Sequence, residues 1–294
     1  MSPAPIKILL QTTIVPTDNA WSIARFGQLA KLLAAQVTEE GTPRYHVVAR
    51  DRCRVDEPDP VLSTLDSSGF DQLWLFAVDF GDGLTTEDCA AILRFHNGGG
   101  GLMITRDHMD LGSSICGLGD IGGVHYFHTH NPNPDVAAHV RDDLDTTHIS
   151  WPNFHSGRNG DYQLIIPIMP IHPVLFDPAS PTGAIRHLPS HPHEGGVLTP
   201  NERGARIIVR GQSKASGQMF NIAAAFEGLA GAGRAIAQST FHHFADYNWD
   251  VRAGAPTFVT EPTGDGLIRN PQALADTHRY AINLAAWLGA RTRS

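Results

Sequence analysis

The chain has 294 residues, of which 41% are hydrophobic and 18% are charged, and its formal net charge at pH 7 is −8. Length and apolar content predict a globular protein with a sizeable core, and the negative charge leaves no basic stripe for nucleic acid. Because no apolar run has the length of a membrane span or the flanks of a signal peptide, we expect a cytoplasmic protein without a membrane partner.

The N-terminal part of the chain alternates predicted strands with predicted helices. Nearly continuous apolar runs are typical of strands buried on both faces. They lie at residues 6–13, 45–50, 70–79 and 101–105. We expect Asp18 or Asn19 to cap a helix between the first two strands, and Thr85 or Thr86 to cap a helix that stops at glycines 98–101. This order predicts a parallel sheet with right-handed crossovers.

The C-terminal part combines irregular loops with further strands. Pro, Gly, Asn and His are dense from about 124 to 205, and insertions of this kind in a compact domain are more often site-forming than accidental. Strands are predicted at 163–168, 205–211, 221–227 and 233–240. A closing helix carries Ala281, Leu284 and Leu288 on one face, with Trp287 beside them. Without an internal repeat or a linker, we expect one domain spanning 1–294 with elaborated loops.

Four stretches, in order along the chain, resemble the class I glutamine amidotransferase-like superfamily and, within it, the ThuA-like (trehalose utilisation-like) branch. They are GGGGLMITRDH (98–108), HPVL (172–175), GAGRAIAQSTFHH (231–243) and NLAAWL (283–288). The resemblance implies a three-layer α/β sandwich with a mainly parallel central sheet, flavodoxin-like or glutamine amidotransferase-like, and long loops over its C-terminal edge.

The resemblance also directs attention to the turn after the strand 101–105. In amidotransferases of this superfamily that elbow presents a nucleophilic cysteine. Here the matching positions, 105–108, contain no cysteine, so we do not expect glutamine hydrolysis. Cys116 follows farther on, and whether it is reactive stays open. It is one of three widely spaced cysteines, without any C-x-x-C pair, which argues against a disulfide framework and a cysteine zinc site.

Histidine is the compositional outlier, with 16 residues against 22 Lys plus Arg. Seven of these histidines fall in three tight groups: His125, His128 and His130; His191 and His193; and His242 and His243. Ligands of open parallel sheets bind beyond the carboxyl ends of the strands. Because several of these groups follow predicted strands, we expect them to share that edge with the charged residues at 106–108.

Three interpretations of the histidines remain open from the sequence. Imidazoles suit a divalent transition metal such as zinc, and an extended H-x-H segment would direct His128 and His130 the same way. Asp107, Asp246 or Glu194 would then complete or orient the coordination. Alternatively, the histidines form a metal-free polar site, or they serve only as buried hydrogen-bonding side chains.

The leading hypothesis is an enzyme, a hydrolase or lyase, that acts on a small polar, sugar-like substrate at a His/Asp-rich crevice. The alternative is a catalytically inert ThuA-like protein that binds a small molecule or carbohydrate. A homo-oligomer is left open. The candidate catalytic residues are His108, Asp107, His242, His243 and Asp246; the candidate substrate-binding residues are Arg106, Asn248, Trp249, His193 and Glu194; the candidate metal ligands are His125, His128 and His130.

Overall fold

The fold is built on two sheets, in a computed structural model that describes residues 4–132, 134, 159–191, 195–201, 203–213, 217 and 219–290. The strands are β1 (Ile6–Thr12), β2 (Tyr45–Arg50), β3 (Gln72–Phe76), β4 (Gly101–Thr105), β5 (Tyr162–Leu164), β6 (Ile166–Pro167), β7 (His187–Pro189), β8 (Ala205–Gln212), β9 (Met219–Phe226) and β10 (Ala235–Gln238). Eight of them form the main sheet in the order β2-β1-β3-β4-β10-β9-β8-β6, and β5 pairs with β7. The pairings from β2 to β10 are parallel, and those beyond β10 are antiparallel.

Helices cover both faces of the main sheet. They are α1 (Gly27–Ala34), α2 (Thr86–Asn97), α3 (Gly119–Gly123), α4 (Asp246–Trp249), α5 (Gly266–Arg269) and α6 (Pro271–Leu288). Successive strand residues point to opposite faces. Leu10 therefore joins the core with α1 and α6, whereas Leu9 joins the core with α2. The predicted three-layer α/β sandwich with a mainly parallel sheet is confirmed.

The structure confirms one of the two predicted helix caps and corrects the other. Thr85 caps α2 in a capping box with Asp88, as predicted. The predicted cap of the first helix at Asp18 or Asn19 is wrong: the helical segment opens as a 3-10 turn at Ile23–Phe26, preceded by Ser22. That turn is held instead from outside, by the side chain of Asp51 on the backbone N–H of Ile23.

The predicted strand 163–168 is divided between two sheets. Gln163 pairs with Leu188 in the small sheet, whereas Ile166 pairs with Arg210 in the main sheet. An apolar run indicates that a segment is extended, but it does not indicate which partner the backbone takes. Of the loop region 124–205, residues 135–158 lie outside the described residues. Among the described helices, none is long and apolar enough to cross a membrane.

A buried carboxylate fastens α2 to the loop that follows β2. Asp88 accepts hydrogen bonds from the Arg52 guanidinium at 2.7 Å and from the backbone N–H groups of Thr85 and Asp59. Both members of the Arg52–Asp88 pair are almost fully buried. Removing one partner of such a pair leaves an uncompensated charge in the interior.

We therefore expect Asp88→Ala to lower the free energy of unfolding by about 3–5 kcal/mol. Glu87→Ala, one position earlier on the exposed face of the same helix turn, should change it by less than about 0.5 kcal/mol. Urea denaturation of the two variants measures both values. Equal losses would show that the buried pair has no special role.

Candidate functional site

The carboxyl ends of β1, β3, β4 and β10 meet at a cavity of about 410 Å³. Its walls are mainly apolar, and they include Ile14, Trp21, Val78, Leu111, Phe258 and Val259. Its polar side chains are those of Asn19, Asp107, His108, His191, His242 and Glu261. This is the crevice position that open parallel sheets use for ligands, and the volume suits a small molecule.

A tight turn after β4 delivers two of these polar side chains. The backbone N–H of Asp107 donates to the carbonyl of Leu111 at 3.2 Å, and that of Leu111 donates to the carbonyl of His108 at 3.1 Å. Met109, inside the turn, has a φ of 52°, in the left-handed region that side chains other than glycine seldom adopt. The strand therefore stops abruptly, and Asp107 and His108 face the cavity.

The Asp107 carboxylate lies at the centre of the polar group. It is 1% exposed, and its Oδ2 lies 3.1 Å from Nδ1 of His108 and 3.6 Å from Nε2 of His242. Thr240 donates a hydrogen bond to Oδ1 at 3.4 Å. Burial alone would raise the pKa of Asp107, but the two imidazoles outweigh it and hold that pKa well below the usual value.

His242 is oriented on three sides. Its Nδ1 donates to Oδ1 of Asn248 at 2.6 Å, and Nδ2 of Asn248 donates to Oδ1 of Asn159 at 3.2 Å. The His191 ring stacks on the His242 ring with centroids 3.5 Å apart and planes at 11°. The Trp21 ring meets it edge-on at 5.0 Å. The ring of His242 is thus fixed with Nε2 toward Asp107.

His108 is the most accessible of the three imidazoles beside Asp107, since 21% of its side chain is exposed. Burial would lower the pKa of His108, but the adjacent Asp107 carboxylate dominates and raises it. The His108 and His191 rings lie 6.1 Å apart at 22°. The Asp107 carboxylate is therefore surrounded by three imidazoles: His108 from the turn after β4, and His191 and His242 from two separate loops.

Apart from His242, the candidate residues of the segment 241–250 lie outside the cavity lining: His243, Asp246, Asn248 and Trp249. His243 is buried next to Gln238 and Gln163. Trp249 is buried, and its Nε1 donates to the His243 carbonyl at 2.8 Å. Asp246 accepts from the backbone N–H groups at the start of α1. Burial raises the pKa of Asp246, only partly opposed by those N–H groups.

Arg106 is also placed away from the cavity. Its guanidinium is buried over the Phe127 ring at 4.4 Å, and Nη2 donates to the carbonyl of Met109 at 2.8 Å. Burial lowers the pKa of Arg106 to about 10. Burial also raises the pKa of the Cys116 thiol, which is not among the cavity-lining groups.

The three predicted metal ligands are not brought together. His125 is fully buried, and its burial, aided by Arg106, lowers the pKa of His125 to about 3. His128 is half-buried and His130 is exposed. In the described part of the chain, the group of side chains close enough to hold an ion is Asp107, His191 and His242. His193 and Glu194 lie outside the described residues.

The sequence does not single out every residue of the site. His191 stands in one of the three histidine groups, but the sequence does not identify it as a ligand. Trp21 lies in the loop before α1, and no periodicity or motif distinguishes it there. Both reach the cavity from loops, whose course a sequence pattern does not predict.

Comparisons with known proteins agree with the fold. No family profile and no curated protein matches the chain. The crystal structure of a ThuA-like protein from Parabacteroides merdae has a TM-score of 0.55 and 15% sequence identity, over 99% of this chain and 93% of that one. A ThuA-like protein from Bacteroides uniformis gives 0.43 and 10%, over 96% and 93%. A protein described as a cytoplasmic protein of Salmonella typhimurium LT2 gives 0.46 and 10%, over 98% and 100%. The Parabacteroides merdae structure confirms the ThuA-like resemblance at the level of the fold.

The contacts of Asp246 indicate that it caps the start of α1, and an experiment can test this structural role. Its two oxygens accept from Gly27 at 3.0 Å and Gln28 at 2.8 Å. We expect Asp246→Ala to lower the free energy of unfolding by about 1–2 kcal/mol, because both N–H groups lose their acceptor. Asp265→Ala, at an exposed carboxylate, is the control. Thermal or chemical denaturation measures the difference, and unchanged stability would contradict the capping role.

Proposed function

We propose that the protein is an enzyme, a hydrolase or a lyase, that acts on a small polar substrate bound in the 410 Å³ cavity. The observation that carries this proposal is the contact between Asp107 and His108 at 3.1 Å on the cavity floor. A carboxylate that orients an imidazole next to a ligand cavity is a recurrent arrangement for proton transfer. Histidine suits that task because its ordinary pKa lies near neutral pH.

We infer different tasks for the two residues. With Nδ1 of His108 turned toward Asp107, Nε2 is the atom that exchanges a proton with water or with a substrate hydroxyl. Asp107, whose two oxygens already face His108, His242 and Thr240, positions these groups. In hydrolysis the imidazole would take a proton from water, and in elimination it would take one from the substrate carbon.

The cavity walls indicate the shape of the substrate. Trp21 and Phe258 give the cavity apolar surface and Glu261 gives it a carboxylate, whereas the amide of Asn19 is hydrogen-bonded to Thr257. A molecule with an apolar face and hydroxyl groups around its edge, such as a sugar, matches this mixture. Glutamine hydrolysis is not proposed, because no cysteine is among the described residues that line the cavity.

We expect His108→Gln to reduce turnover by about 10²–10⁴-fold, because general acid–base catalysis contributes that much. Because 21% of the side chain is exposed and glutamine keeps a hydrogen-bond donor for Asp107, the thermal midpoint should stay close to that of the parent chain. The assay incubates the purified chain with a panel of glycosides, esters and lactones and follows product by mass spectrometry.

The matched control is His46→Gln, which replaces an exposed histidine on β2. It should leave turnover unchanged. Equal product formation by the parent chain and His108→Gln would contradict the assignment of His108. Saturable binding of a panel member by the parent chain, with no product, would contradict catalysis and support the inert binding protein instead.

A further inference from the structure

The structure points to a divalent transition metal site formed by Asp107, His191 and His242. One ligand atom from each side chain lies within 4.8 Å of the other two. All three residues are buried, with exposed fractions of 1%, 4% and 2%. Two imidazoles and a carboxylate form a ligand set that zinc and iron(II) accept, and three protein ligands leave a position for water or substrate.

The spacing of Asp107 and His242 fits a single ion. A tetrahedral ion with bonds of 2.0–2.2 Å holds its ligand atoms about 3.3–3.6 Å apart. Oδ2 of Asp107 and Nε2 of His242 are separated by 3.6 Å. That separation is long for a direct hydrogen bond but suits two atoms that share a cation. These two ligands are thus nearly in place.

The hydrogen bond made by Nδ1 of His242 leaves Nε2 as the ring nitrogen that can bind a cation. Nδ2 of Asn248 donates a hydrogen bond to Asn159. Oδ1 of Asn248 therefore accepts a hydrogen bond from Nδ1 of His242. Nε2 then carries a lone pair, and it faces a carboxylate oxygen in a buried space. A cation between the two atoms would accept a lone pair from each. Fixing a ligating imidazole through its other nitrogen is the usual arrangement at metal sites.

His191 is the ligand that has to move. Its ring is stacked on that of His242 at 11°, so the lone pairs of the two rings run side by side rather than toward one point. A rotation about the side-chain bonds of His191 directs a nitrogen to the position between Asp107 and His242. We therefore infer two preset ligands and a third that closes on the ion.

This inference deepens the proposed function, since the ion would lie on the floor of the same cavity beside His108. A bound ion would supply a Lewis acid and would lower the pKa of a bound water. Its test does not depend on turnover, so a failure of the metal site and a failure of the catalytic proposal can be told apart.

The experiment uses the full chain without a histidine tag, stripped with chelator and dialysed. Zn²⁺ binding is measured by calorimetry and elemental analysis, and Co²⁺ binding by visible absorption, which reports the ligand geometry. We expect one ion per chain. Asp107→Asn and His242→Ala should weaken binding by more than the 10–100-fold typical of second-shell changes, and Asn248→Ala should fall within that range.

Two further variants keep the result interpretable. His191→Ala removes the ligand whose ring has to turn, so weakened binding in this variant cannot be attributed to misfolding if its thermal midpoint is unchanged. His46→Ala, at the exposed histidine of β2, should bind the ion as tightly as the parent chain. Absence of binding by the parent chain, or equal binding by the parent chain and the three ligand variants, would overturn the site.

Discussion

The arrangement of the cavity follows from one buried charge at the end of a parallel strand. Taking a carboxylate out of water costs several kcal/mol, and only close donors or cations repay it. Asp107 is 1% exposed, and the groups that compensate it come from the next residue and from the segment after β10. The contacts that stabilise the Asp107 charge therefore place His108, Thr240 and His242 close together. Removing any of these groups without replacing its hydrogen-bonding atom would leave a nearly buried charge with fewer partners.

The surrounding backbone makes this convergence rigid. The N–H of Phe241 donates to the carbonyl of Arg106 at 2.9 Å, which joins the segment after β10 to the turn after β4. Asp246 then fastens the same segment to the start of α1, and Trp249 secures it from within. Gly112 completes the turn: it has a φ of 89°, and a Cβ there would lie 2.8 Å from the carbonyl oxygen of Ala77. Sites supported in this way hold their geometry better than sites on free loops.

The sequence predicted the scaffold better than the site, for a physical reason. Buried parallel strands are continuous apolar runs, and the residue after such a run must lie at the edge of the sheet. That argument located Asp107 and His242 near one another. It could not separate His242 from His243, because adjacent residues in a short turn point in different directions, and only the second turns toward Gln238. The same reasoning could not predict the position of His191, since that position depends on the path of a loop.

The turn after β4 carries different side chains from the turn at the same place in the superfamily that the chain resembles. In the superfamily that the chain resembles, this turn carries a cysteine nucleophile, which needs a strained, exposed position and a nearby base. Here the left-handed residue is Met109, just after the matching positions, and the side chains of the turn are a buried carboxylate and a partly accessible imidazole. A carboxylate whose oxygens already face two imidazoles and a hydroxyl is poorly placed to attack a substrate. It is well placed to orient the groups around it, and this is why we propose the ring nitrogens, rather than the carboxylate, as the atoms that transfer protons or bind a cation.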